Sequence, residues 1–192
     1  MKPLILGMGP CRSYPSDAWH PEALSTANLS RLIMGSTAKW PMVEHHFDLS
    51  DLNKRWYRVE GAGDAILPDE AEATLRALVA SGGLRGGRKA FLLGEQVTDF
   101  VFSFLRRPDH VLAANAWRTL PKGIGVRLRT SDPEARIGAM SGFYDFLAIP
   151  VWHPRILLDS EIRMPPGWQQ KMMTVMRAAA GLPPMKFSLK AR

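Results

Sequence analysis

"RKAFLLGEQVTDFVFSFLRR", residues 88–107, is the stretch that decides the fold. Residues 88–94 form a short apolar run closed by Gly94, the pattern of a strand buried in a sheet. Residues 95–107 read as a helix leaving that strand. The same grammar extends outward in both directions. "PLILGM" (3–8) is a first strand bounded by proline and glycine. Residues 21–35 place Leu24, Leu29, Leu32 and Ile33 near helical spacing and stop at Gly35. Residues 42–52 alternate unevenly and predict a second strand ending near Asp51. Residues 68–83 predict a helix, with acids in its first turn and glycines at its end. Residues 145–154 predict a strand ending at His153-Pro154, and residues 166–181 a closing helix. Within 111–142 the pattern supports one strand around 124–129. Strands alternating with helices specify an α/β layer fold with a mostly parallel sheet. Ligands of such sheets bind at the carboxyl ends of the strands. Residues 7–13, Asp51, Gly94 and His153 all stand at such ends, so they can converge although distant in sequence.

The bulk properties narrow the class. A chain of 192 residues, 46% hydrophobic and 22% charged, can bury one good core. We expect a single domain over 1–185 and a basic, frayed tail over 186–192. The net charge of +7 favours a polyanionic partner, nucleic acid before an anionic membrane surface; the plainer alternative is an ordinary basic enzyme. Cys11 is the single cysteine, which excludes an intrachain disulfide and leaves a cysteine-based zinc site unsupported. His45-His46 is too weak a signal for a metal. No cofactor is expected. No run approaches 18 apolar residues, and the amino-terminal run is too short for a signal peptide. A soluble, cytoplasmic monomer without membrane contact is the expectation.

Three motifs occur in order: "ILGMGPCRS" (5–13), "FLLGEQVTDFVF" (91–102) and "IPVWHPR" (149–155). Together they resemble the uracil-DNA glycosylase superfamily. That family has a first strand ending in Gly-x-x-Pro, a later strand with a Leu-Leu-Gly end, and a last strand ending in His-Pro. The stretch from "FDLSDLN" (47–53) through "GAGDAILPDEAEATL" (61–75) is similar to a phage and bacterial branch of it. The resemblance covers most of the chain and is weak over 108–142. It implies a single-domain, three-layer α/β fold with a central, mostly parallel sheet. It also implies an enzyme that flips a base out of DNA and hydrolyses its N-glycosidic bond.

The resemblance also implies roles. His153 would donate to the departing base. Gly7, Met8, Gly9 and Pro10 would shape the base pocket, with Gly9 leaving room for a substituent. Arg12 and Ser13 would hold phosphate or base. Tyr14 and Phe47 are candidate stacking rings, although an aromatic on a strand also reads as core. Cys11 reads as a small packed residue, since no histidine adjoins it. Lys54, Arg55 and Arg58, interleaved with Trp56 and Tyr57, suit contact with DNA, and they equally suit a solvated surface.

The chain departs from the family at three points. Where relatives carry an acid or amide in the first motif to hold water, it has Met8 and Gly9. Asp17, Glu22 and Asp51 are the candidates to replace that group. Arg155 stands where the family usually has serine, and could grip a phosphate beside the flipped nucleotide. Asp51 aligns with an asparagine that reads uracil. A carboxylate accepts and an amide both donates and accepts, so Asp51 suits the exocyclic amine of cytosine, with one proton shared between Asp51 and N3. An alignment shifted by two makes Asn53 the reader and uracil the substrate. The expected function is excision of uracil or of a cytosine, including one modified at C5 by a hydroxymethyl or glucosyl group. The alternatives are an inactive relative that binds DNA or a base, and a nucleotide or sugar-phosphate enzyme of flavodoxin-like architecture.

Overall fold

A computed structural model describes residues 1–61, 63–84, 88–104, 126–128, 146–156 and 167–188. Its centre is a five-stranded sheet built from β1 (Leu4–Gly7), β2 (Asp48–Asp51), β5 (Lys89–Leu93), β6 (Val126–Leu128) and β7 (Phe146–Val151), in the order β2-β1-β5-β7-β6. Neighbours from β2 to β7 are parallel; β6 runs antiparallel on the edge. A two-stranded hairpin, β3 (Arg58–Val59) with β4 (Gly63–Asp64), stands apart from this sheet.

Strand side chains alternate between faces, and each face has its own core. Leu4, Leu6, Ala90, Leu92 and Ala148 face α3 (Pro68–Ala80) and α4 (Glu95–Phe104), meeting Leu75, Val79, Val97 and Val101. Ile5, Phe91, Leu93, Ile149 and Val151 face α1 (Leu24–Met34), α2 (Trp40–His46) and α5 (Trp168–Ala179), meeting Leu29, Leu32, Val43, Trp168 and Met172. The result is three layers: helices, sheet, helices. The helices begin and end where local chemistry says they should. Pro68 opens α3, whose first turn carries Asp69 and Glu70. Gly35 closes α1 in the left-handed conformation.

Two expectations need correction. Residues 42–46 belong to helix α2, and only 48–51 form the strand. Trp40 and Val43, three residues apart, bury one helical face there. His45 and His46 therefore sit on a helix end, not on a strand. The segment read as frayed is docked as far as Phe187: Gln170 Nε2 donates to the Met185 carbonyl at 3.0 Å, Gln170 Oε1 accepts from the Phe187 N–H at 2.6 Å, and both residues pack on the second core. Residues 189–192 lie outside the described residues, as does most of 105–145. The strand expected around 124–129 is β6. Among the described residues no helix is long and apolar enough to cross a membrane.

The strand order locates the site. From β1 the chain passes first to β2 on one side and later to β5 on the other. Connections therefore leave β1 and β5 in opposite directions, opening a crevice beyond their carboxyl ends.

Candidate functional site

The ends of β1 and β2 run side by side past the sheet. The Leu52 N–H donates to the Gly7 carbonyl at 3.0 Å and the Asn53 N–H to the Met8 carbonyl at 2.8 Å. This close approach explains both glycines. A methyl group on Gly7 would collide with the Asp51 carboxylate, and one on Gly9 would stand 2.7 Å from Asn53 Cβ at a φ of +145°. Gly9 therefore opens no space for a substituent on that side; it lets two chain segments cross.

Asp51 ends β2 with its carboxyl against Gly7 and the Trp19 ring. Burial raises its pKa to about 7, and a hydrogen bond from Trp19 opposes the rise. Trp19 is itself fixed by stacking on the buried Trp40, with ring centroids 5.8 Å apart.

His153 follows β7. The turn Pro154–Ile156 is pinned from α1, where Asn28 Nδ2 donates to the Pro154 carbonyl at 2.9 Å and the Arg155 carbonyl at 3.4 Å. His153 Nδ1 accepts from the Arg155 backbone N–H at 3.2 Å. In the neutral ring the proton then sits on Nε2. Burial pushes the imidazole pKa down, Arg155 adds to this, and Asp64 works against it. Neutral imidazole is thus the favoured form, with Nε2–H free to donate. Gly94, at φ +90°, lets the end of β5 close on the ring, since a methyl group there would stand 3.3 Å from Cδ2.

Among the described residues, three cavities that share lining residues surround these groups. The inner chamber, about 100 Å³, is lined by residues 7–11, Trp19, Thr26, Asp51, Asp64 and His153 among others. An outer cavity of about 660 Å³ is walled by Arg12, Ser13, Tyr14, Glu22, Arg58 and Arg155, with Trp56 and Asp64. A third, of about 400 Å³, opens at the end of β5 beside Met8, Gly94 and His153. Arg155 and Asp64 border all three.

The sequence-derived residues divide accordingly. Gly7, Met8, Gly9, Pro10, Asp51, His153 and Arg155 meet at the chamber. Arg12, Ser13, Tyr14 and Arg58 meet at the outer cavity. Tyr14 stacks on His20, with centroids 3.8 Å apart, and its hydroxyl donates to Glu22 at 3.2 Å. Others fall elsewhere. Phe47 is 1% exposed and packs edge-on to Phe91 in the core, at the opposite end of β2, so it stacks on no ligand. Asn53 is 3% exposed; its Nδ2 donates to the Ala65 carbonyl at 2.8 Å and its Oδ1 accepts from the Leu67 N–H at 2.8 Å. It is a clamp on the loop entering α3, not a reader of bases. Asp17 is exposed and holds the Trp19 N–H at 3.2 Å, outside all three cavities. Lys54 and Arg55 line none of the three either, and Arg55 pairs with Glu70 at 3.3 Å.

Trp19, an aromatic of the loop that follows the first strand, supplies the aromatic wall, and two further residues of the site escaped the sequence reading. Asp64 lies on the small hairpin, held by the Trp56 indole at 3.0 Å. Thr26, 1% exposed, borders the chamber, and its buried hydroxyl has no partner among the described residues.

Among the described residues no cluster of three metal-binding side chains occurs. No family model matches the chain, and neither curated proteins nor solved structures include a significant match.

Proposed function

We propose that this chain is a DNA glycosylase that takes an extruded pyrimidine with a cytosine-type edge into the inner chamber and hydrolyses its N-glycosidic bond. One observation carries the reading: a neutral imidazole donor and a proton-sharing carboxyl face the same small chamber at the sheet's switch point. As the bond to the sugar breaks, negative charge develops on the base. The His153 Nε2–H is preorganised to meet it at the O2 position. Asp51, with a pKa of about 7, exists in both forms near neutrality. Ionised, it accepts from the exocyclic amine; protonated, it also donates to N3. A cytosine edge is answered when one proton is shared between Asp51 and N3, and the ionised state disfavours uracil O4. Asp64, which borders the chamber, is available to hold the attacking water in place of a first-motif carboxylate. The arginines at the rim neutralise flanking phosphates.

The test is the formation of alkali-labile sites in oligonucleotides containing uracil, cytosine, 5-hydroxymethylcytosine or its glucosylated form. Base-specific breaks are expected, reduced about 10²–10³-fold by His153→Ala, the scale for removing one preorganised donor. Binding without breaks on any substrate would reduce the function to DNA recognition. Cleavage confined to uracil would overturn the role given to Asp51.

A further inference from the structure

We propose that the outer cavity is a subsite for a large polyhydroxylated group, of glycosyl size, carried at C5 of the base. This rests on the chamber being a pyrimidine pocket. In a pyrimidine ring C2 and C5 lie opposite each other. If His153 serves O2, C5 points away from His153. His153 borders the chamber and the cavity at the end of β5, but not the outer cavity. The C5 direction therefore leads toward the wall that chamber and outer cavity share. That wall includes three small side chains, Cys11, Ala23 and Ser25, beside Asp64 and Arg155. Cys11 is held there by a tight turn, in which the Tyr14 N–H donates to its carbonyl at 3.1 Å.

The lining offers a polyol both kinds of partner. Arg12, Arg58 and Arg155 supply donors, and Glu22 and Asp64 supply acceptors that hydroxyl groups can use and a phosphate cannot. The two carboxylates are oriented by Tyr14 and Trp56 respectively, and each keeps oxygen lone pairs for hydroxyl groups. Trp56 and Tyr14, the latter with one face already stacked on His20, add aromatic surface to the lining. At about 660 Å³ the cavity lies within the roughly 300–1,000 Å³ range of small-molecule sites.

The experiment compares rates of base release by the full chain from oligonucleotides carrying cytosine, 5-hydroxymethylcytosine and glucosylated 5-hydroxymethylcytosine. The expected result is a preference of at least about tenfold for the glucosylated base, the equivalent of about 1.4 kcal/mol. Cys11→Phe, which puts a ring in the passage, should abolish that preference, and Cys11→Ala should keep it. If Cys11→Phe does not fold, the wild-type thiol decides: glucosylated nucleoside should slow alkylation of Cys11, and plain deoxycytidine should not. Equal rates on all three bases, or a preference unchanged in Cys11→Phe, or no protection of the thiol, would overturn the subsite and leave the glycosylase standing. Release of no base from any oligonucleotide would instead overturn the glycosylase, and the subsite with it.

Discussion

Asp51 is half-buried, with its carboxyl packed against Gly7 and Trp19. Burial penalises only the ionised form, so its pKa rises to about 7 from an unfolded value near 3.8. Below pH 4 the group is protonated in both states. Between about 4 and 7 only the folded state holds the proton, so stability falls as pH rises. Above 7 the full cost of the buried charge is present. Asp51→Asn removes a charge and keeps the shape. It should melt at a higher temperature than wild type at pH 8, with each kcal/mol worth about 2–4 °C in a chain of this size, and its advantage should shrink toward pH 5. An advantage that grows toward acid would contradict the assignment. The same variant should turn base preference toward uracil, because an amide donates to O4 and accepts from N3–H. Asp51 was legible in the sequence because it ends an apolar run at a strand terminus. Thr26 was not: a threonine inside a helical pattern gives no sign that it borders a cavity.

At the scale of elements, α1 does more than cover the sheet. Its Asn28 holds two consecutive carbonyls of the His153 turn from inside the core. Asn28→Ala would leave those acceptors unpaired at a cost of about 1–3 kcal/mol. Measured by denaturant unfolding, that loss should come with a fall in the rate of base release and a smaller fall in DNA affinity, because the turn that Asn28 holds carries both His153 and Arg155. Unchanged catalysis in a folded Asn28→Ala protein would show that the turn holds itself. The main strands were readable because buried parallel strands are continuous apolar runs bounded by glycine and proline. The segment 42–46 misled because helix α2 is seven residues long, too short for its period to separate from alternation. Asp64 was missed for a related reason. A two-residue strand of sequence Gly-Asp has no periodicity at all, and only tertiary folding brings that hairpin over the chamber.

For the whole molecule, the net charge of +7 is spread over the surface, but its consequences depend on where each cation stands. Arg155 is exposed and borders all three cavities, close to the His153 imidazole. Arg55 is exposed too, yet it is answered by Glu70 at 3.3 Å and lines none of them. Each phosphate neutralised on binding releases condensed counterions, so the logarithm of the binding constant falls with that of salt concentration by about 0.7–0.9 per contact. Arg155→Ala should make that slope shallower by about one contact, to the same extent for every base tested, because a phosphate grip carries no sequence information. Arg55→Ala should leave the slope nearly unchanged, since its charge is already partly compensated. Titration of a fluorescent oligonucleotide between 50 and 200 mM salt, the range over which about 6–10 such contacts would change affinity 10³–10⁵-fold, measures both. An equal effect of the two variants would mean that DNA senses the average charge of the protein, and that the rim of the chamber has no privileged place in docking.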